Sequence, residues 1–258
     1  MSAMDFSTAW INGRSLPKVL RDYRPAHRFG AFGRTDRVRI SVPADLYALG
    51  LDRTHATPFV IEGNLLVTAH DVDAKPEVID LPNLRFTGNA LRSAADEIVS
   101  HPLTKQAVAL GTSVLGAEPD RALAFSKQVC EWGGGQRVWG KLIKRHGPDK
   151  LGAELVSWFE HAAYAATPAQ AIAPGAALKG LGVSYASKHL RHLAPDRFAV
   201  LDDVVGQGLG YALNPAGYNL FVAELLRLQR EYFNDLPVAA IEAGLFNLVR
   251  QIVRAREF

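Results

Sequence analysis

The chain has 258 residues and a mass of 28.1 kDa, enough for one large domain or two smaller ones. Hydrophobic residues make up 48% of it and charged residues 21%, as in an ordinary globular protein. The formal charge of +3 is compatible with a nucleic-acid partner but does not require one. The one cysteine, Cys130, excludes an intramolecular disulfide, a cysteine-based zinc site and a four-cysteine iron–sulfur cluster.

The compartment can also be predicted from composition. A single free thiol fits a reducing environment. No apolar run reaches the roughly 18 residues of a membrane span, and the segment Met1 to Phe6 lacks the order of a signal peptide. We therefore expect a cytoplasmic protein without a membrane partner. We expect no cofactor and no metal, because the eight histidines are scattered and the nucleotide-loop and zinc motifs are missing.

The first part of the chain, residues 1–88, mixes short apolar runs with Pro, Gly and Asp. Val38 to Val42 alternates as a half-buried strand does, and Phe59 to Val67 predicts two short strands joined at a Gly63-Asn64 turn. We interpret residues 1–88 as an N-terminal region of mixed short strands and helix with no assigned function.

From residue 89 to residue 258 apolar side chains recur at helical spacing, which predicts a helical domain. The predicted helices run from Ala90 to His101, Leu103 to Leu115, Pro119 to Trp132, Lys150 to Ala165, Ser184 to Leu193, Asn219 to Phe233 and Val238 to Arg256. The stretch from Gln136 to His146 also predicts an amphipathic helix with a basic face. Such a face is typical of a solvated surface and also fits a DNA backbone. The expected fold class is mainly α, with a small irregular α/β N-terminal part.

A hairpin at residues 176–193 is the most informative segment. Its Gly180-Leu181-Gly182 turn connects a short apolar lead-in to a helix. Such a turn leaves backbone N–H groups free at a helix N-terminus, where the helix dipole favours an anion. The order helix, glycine turn, helix is the helix-hairpin-helix pattern, which binds one DNA phosphate irrespective of base sequence. Taken alone, a Gly-x-Gly turn is more often a plain helical hairpin.

The residues that follow make the pattern more specific. The run from Phe198 to Leu201 leads directly into Asp202 and an Asp-x-x-Val sequence. Together with Leu178, Gly180 and Gly182, this arrangement resembles the helix-hairpin-helix superfamily of DNA base-excision glycosylases. The phrases Ala-Ser-Lys and Pro-Asp-Arg-Phe look most like bacterial proteins with an 8-oxoguanine DNA glycosylase fold. The resemblance covers about 30 residues around the hairpin.

The resemblance implies a base excision repair enzyme that binds duplex DNA and flips a damaged or modified purine, of the 8-oxoguanine type, into a pocket. The enzyme would then hydrolyse the N-glycosidic bond. The implied DNA-binding residues are Lys179, Gly180, Leu181, Gly182 and Ser184. A flipped base needs aromatic faces and polar edges, and the candidates are Trp132, Gln136, Trp139 and Tyr185, although most such aromatics are core residues.

The same resemblance implies that Asp202 is the catalytic carboxylate, which stabilises positive charge on the sugar and orients water. Asp203 is the alternative, because a one-residue shift would bring it to the same place. Either aspartate fits equally as the N-cap of a helix starting near Val204. Backbone-cutting branches carry a lysine at the position of Ser184, so the chain is expected to be monofunctional. Lys188 either contacts solvent or phosphate or, if desolvated, forms a Schiff base with the sugar.

Two other functions stay open at this point. A catalytically silent relative would keep the fold and recognise a nucleic-acid base, a nucleotide or a partner protein. An enzyme acting on free nucleosides or RNA would use the same carboxylate chemistry.

Overall fold

The computed structural model describes residues 84–254 continuously and, before them, four short strands at 10–11, 14–15, 65–66 and 78–81. Strand β1 (Trp10–Ile11) pairs antiparallel with β2 (Arg14–Ser15). The strand predicted at Val38 to Val42 lies outside the described residues, as do residues 59–64 and 67 of the predicted strand pair.

A small sheet precedes the helical body. Its strands are β3 (Leu65–Leu66), β4 (Val78–Leu81) and β5 (Leu84–Thr87), in the spatial order β3-β5-β4. β3 runs parallel to β5, whereas β4 is antiparallel to it and pairs Ile79 with Phe86. Both of these side chains are buried. β4 and β5 were not predicted, because four residues are too few for a clear alternation.

The described part beyond β5 is mostly helical, which confirms the mainly α prediction. Its ten helices are α1 (Gly88–Val99), α2 (Pro102–Gly111), α3 (Pro119–Trp132), α4 (Gln136–His146), α5 (Pro148–Tyr164), α6 (Pro168–Ala177), α7 (Gly182–Leu193), α8 (Asp203–Leu209), α9 (Pro215–Tyr232) and α10 (Val238–Arg254). None of these helices is both long and apolar enough to cross a membrane.

Local capping accounts for two differences between the observed and the predicted helices. α9 begins four residues before the predicted Asn219, because the Asn214 side chain accepts a hydrogen bond from Gly217 N at 2.8 Å and Pro215 occupies the first helical position. α6 was not predicted as a helix. Thr167 and Gln170 form a reciprocal capping box there, whereas the small residues and Pro174 inside the helix hide its periodicity.

α7 lies at the centre of the helical body and packs against α2, α3, α5 and α6. Every residue from Ala186 to Leu193 is buried, although several of them are polar or charged. His189 is typical: its Nδ1 lies 2.7 Å from Tyr185 O and its Nε2 lies 2.8 Å from Ser126 Oγ. Polar groups are costly to bury without partners, so the partners of α7 define the candidate site.

Candidate functional site

The predicted hairpin is present between α6 and α7. Its turn, residues 178–182, is closed by a hydrogen bond from Leu181 N to Leu178 O at 3.0 Å. Gly180 has φ +111° and Gly182 has φ +62°, values that glycine adopts without steric cost. Both glycines of the sequence motif are therefore required by the backbone path of the turn.

The N-terminus of α7 is open to solvent. Lys179, Gly180 and Gly182 are exposed, and among the described residues no side chain caps this end of the helix. The N–H groups of a first helical turn have no intrahelical acceptor, so they are available to an anion. Leu181 differs from its neighbours, because its side chain is buried in the core and its N–H already bonds Leu178.

Lys188 reaches back along α7 toward Ser184. Its Nζ lies 3.2 Å from Ser184 Oγ and 3.5 Å from Ser184 O. The same nitrogen is 3.4 Å from Asp202 Oδ2, and the lysine side chain is only 10% exposed. A helical side chain leans toward the N-terminus of its helix, which explains this direction. The structure therefore brings Ser184, Lys188 and Asp202 together.

A glycine turn between α3 and α4 covers the stem of this lysine. A Cβ placed on Gly133 would lie 2.9 Å from Lys188 Cδ, and one placed on Gly135 would overlap the Tyr185 hydroxyl. Tyr185 donates that hydroxyl to Gly133 O at 3.2 Å, and its ring centroid is 5.0 Å from Lys188 Nζ. Burial raises the pKa of Tyr185, so the phenol stays a neutral donor. The turn thus holds both side chains in place.

The two carboxylate oxygens of Asp202 have different partners. Oδ1 accepts hydrogen bonds from Val204 N at 3.1 Å and Val205 N at 3.2 Å, and so caps α8. Oδ2 faces Lys188. Helix capping and a place in the candidate site are therefore compatible for the same residue. Asp203, the alternative carboxylate, is the first residue of α8 and is exposed.

Two further residues fix the segment that carries Asp202, and neither was predicted. The buried hydroxyl of Ser187 accepts from Leu201 N at 3.0 Å and lies within donating distance of Ser184 O at 2.9 Å. Glu242, on α10, accepts the N–H of Val200 as well as a bond from Arg191. Ser187 lies in the Ala-Ser-Lys phrase of the resemblance, but nothing in the sequence relates Glu242 to the hairpin.

The predicted base-pocket residues have different surroundings. Tyr185 lies beside Lys188, as described above. The Trp132 ring centroid lies 5.2 Å from Arg191 Cζ and 4.5 Å from the His192 ring centroid. Its indole Nε1–H donates a hydrogen bond to Thr104 Oγ1 at 2.9 Å. Its indole therefore packs between α2 and α7. On α4, Trp139 packs partly against the core and Gln136 is exposed.

A surface cavity of about 450 Å³ lies between the loop that follows α2 and the second half of α5. It is lined by Leu115, Gly116, Ser157, Glu160, His161, Ala163 and Tyr164. None of these residues lies in the hairpin or in the group formed by Ser184, Lys188 and Asp202.

Comparisons of the chain with protein-family models, with curated proteins and with solved structures give no match. Within the described residues there is also no group of three or more His, Cys, Asp or Glu side chains that could hold a metal ion. The site combines a largely buried lysine with a fixed carboxylate, and the lysine extends toward the open N-terminus of α7. Function therefore has to be inferred from this geometry.

Proposed function

We propose that the protein is a DNA glycosylase that binds duplex DNA through the turn at residues 178–182 and removes a damaged or modified purine. The supporting observation is the pairing of Lys188 Nζ with Asp202 Oδ2 at 3.4 Å. Lys188 Nζ also lies 3.2 Å from the hydroxyl of Ser184, a residue in the first turn of α7. A phosphate at that helix N-terminus would bring the adjoining sugar near the pair.

Asp202 is suited to stabilise the sugar during base loss. The sugar becomes positively charged as the glycosidic bond breaks, and a carboxylate fixed beforehand stabilises that charge without having to reorganise. The two N–H bonds to Oδ1 provide this fixation, and the side chain remains 17% exposed, so a substrate can approach the carboxylate.

Lys188 is suited to act as the nucleophile in place of water. Its ammonium group would pass one proton to the departing base, and the resulting amine would form a bond to C1′ as the bond from C1′ to the base breaks. A second proton then moves from Nζ to the ring oxygen as the sugar opens, which leaves an iminium ion. In the water route that the sequence predicts from Ser184, water attacks the same carbon and Asp202 accepts its proton.

The test is base release from duplexes that carry 8-oxoguanine, an alkylated purine, uracil or a mismatched adenine. We expect release of one of the purines, reduced about 100-fold or more in Asp202→Asn. Release from none of these duplexes, with DNA binding intact, would identify a catalytically silent protein instead.

Borohydride reduction separates the two nucleophiles. If Lys188 attacks the sugar, wild-type protein becomes covalently trapped on DNA, and Lys188→Gln loses trapping while Lys105→Gln, an exposed lysine of α2, keeps it. Base release by Lys188→Gln without any trapping in the wild type would assign the attack to water.

A further inference from the structure

Four cations lie on one face of α4. Arg137, Lys141, Lys144 and Arg145 are separated by four, three and one residues, so they share about a third of the helix circumference. All four side chains are exposed, whereas Leu142, which lies three residues before Arg145, is fully buried. α4 contains no acidic residue in its sequence. We refer to these four residues as the α4 cation face.

The α4 cation face has no carboxylate partner within the described part of the chain. Several exposed cations on other helices do have one: Lys127 pairs with Glu131, and Arg92 pairs with Asp235. A surface that collects positive charge without neutralising it attracts polyanions. The charges of α4 are therefore available to an external partner.

The C-terminal end of α4 contacts the turn at residues 178–182. His146 Nε2 lies 3.2 Å from Lys179 O. A Cβ on Gly180 would lie 4.0 Å from an Arg145 guanidinium nitrogen. Arg145 is thus next to the turn, and the other three cations lead away from it along the helix.

Length and charge spacing fit a DNA backbone. From Arg145 back to Arg137 is eight residues, or about 12 Å of helix. A DNA strand carries one phosphate per roughly 3.4 Å of duplex axis, so the face spans about three phosphates. Favourable interaction with the helix dipole would explain Lys144 and Arg145 at the C-terminus but not Arg137 and Lys141.

We infer that the α4 cation face is a second contact surface for the phosphate backbone of duplex DNA, continuous with the turn at residues 178–182. This inference rests on the proposed function, because it takes duplex DNA as the ligand of the turn. It extends the contact from one phosphate to a short stretch of backbone, and it places α4 along the DNA while Lys188 and Asp202 act on the sugar.

The test compares two triple variants with the same loss of charge. The first is Lys141→Gln, Lys144→Gln and Arg145→Gln on α4. The control is Lys105→Gln, Arg121→Gln and Arg230→Gln, exposed cations of three other helices. The affinity for an undamaged duplex is measured by fluorescence anisotropy over a series of salt concentrations.

We expect the α4 variant to bind about tenfold or more weakly than the wild type at 0.1 M salt, and the slope of log K against log salt to fall by about 2 to 3. The control variant should change both quantities much less. At saturating DNA the control variant should release base at the wild-type rate, because its three positions lie outside the turn, the α4 cation face and the reacting groups.

Equal losses in the two variants would show that net charge alone matters, and would overturn the inference while leaving the proposed function standing. A wild-type protein that binds no duplex would overturn both. Binding that is unchanged in the α4 variant, together with active base release, would place the DNA elsewhere.

Discussion

α7 carries two ion pairs three residues apart, and they differ in distance, exposure and number of partners. Lys188 and Asp202 are separated by 3.4 Å, with side chains 10% and 17% exposed. Arg191 and Glu242 are separated by 2.9 Å, with side chains 2% and 4% exposed. One helix thus holds a partly exposed pair nearer the turn, the open pair, and a buried pair in the core, the closed pair.

Both members of the closed pair, Arg191 and Glu242, have further partners. Arg191 also donates to Ala239 O at 3.3 Å and lies over the Trp132 ring, while Glu242 accepts the N–H of Val200. Burial raises the pKa of Glu242 to about 7, which shows how costly its charge is in the core. In the open pair the distance is longer, and the Asp202 side chain is 17% exposed. The comparison indicates that Arg191 and Glu242 stabilise the fold, whereas Lys188 and Asp202 are the pair that the proposed function would use.

The largest expected effect is on the closed pair. Arg191→Met leaves the Glu242 carboxylate buried without its partner, and we expect the free energy of unfolding to fall by about 3–5 kcal/mol at pH 8. Because the pKa of Glu242 is already raised, the carboxyl can take up a proton at pH 5, and the loss relative to the wild type should shrink there. Urea denaturation at the two pH values measures this. An equal loss at both pH values would show that Arg191 does not lower the pKa of Glu242 in the wild type.

A smaller effect is expected where α7 supports the open pair. Ser187→Ala leaves the buried N–H of Leu201 without its acceptor, and should lower the free energy of unfolding by about 2 kcal/mol. If the proposed function holds, base release at saturating DNA should slow while the dissociation constant stays unchanged, because Asp202 moves but the turn does not.

Ser126→Ala is the matched control for that variant. It removes a buried hydroxyl that bonds His189 Nε2 at 2.8 Å, so it should also destabilise the fold. We expect it to leave the rate of base release unchanged. Equal slowing in both variants would show that loss of stability, rather than the position of Asp202, controls the rate.

The pH dependence of stability extends the comparison to the two buried histidines of α7. Burial lowers the pKa of His192 well below its ordinary range and that of His189 to about 4. Below pH 6.5 the unfolded chain binds these protons and the folded chain does not, so stability should fall from pH 6.5 toward pH 4. The raised pKa of Glu242 acts in the opposite sense, but one carboxyl offsets only one of the two histidines.

His192→Leu should reduce this acid dependence. Within the described structure neither ring nitrogen of His192 has a hydrogen-bond partner, so the substitution should also raise the free energy of unfolding at pH 7 by about 1 kcal/mol. Thermal and urea unfolding between pH 4.5 and 8 would measure both changes. An unchanged acid dependence would assign it to other groups.

The smallest expected effect on stability is that of the open pair itself. Lys188→Met should change the free energy of unfolding by about 1 kcal/mol or less, because Asp202 keeps its two backbone N–H partners and some contact with solvent. Urea denaturation alongside Arg191→Met makes the comparison direct. A loss as large as that of Arg191→Met would make Lys188 a structural residue.

Local sequence signals predicted the parts of the molecule that local interactions determine. α3 has the predicted bounds, α7 begins two residues before the predicted Ser184, and the N-cap position of Asp202 follows from its place before Val204. The direction of Lys188 could be anticipated from helical geometry alone. These features depend on residues within one or two turns of each other.

The remaining parts of the site depend on packing between distant elements. Glu242 meets Arg191 across 51 positions, and Tyr185 meets Gly133 across 52. No periodicity relates such residues in a single sequence. The occupied indole of Trp132 is also a packing result, because its neighbours belong to α2 and α7.

The glycine turn over Lys188 and Tyr185 has a consequence for the descent of this protein. Because no side chain fits at Gly135 while Tyr185 holds its present position, the two residues can change only together. A descendant with alanine at position 135 would need a smaller or differently placed residue at position 185. Lys188 would then lose its contact with the tyrosine ring. Joint inheritance of these glycines with the tyrosine and the lysine would therefore mark chains that preserve this arrangement, even where the rest of the sequence has diverged.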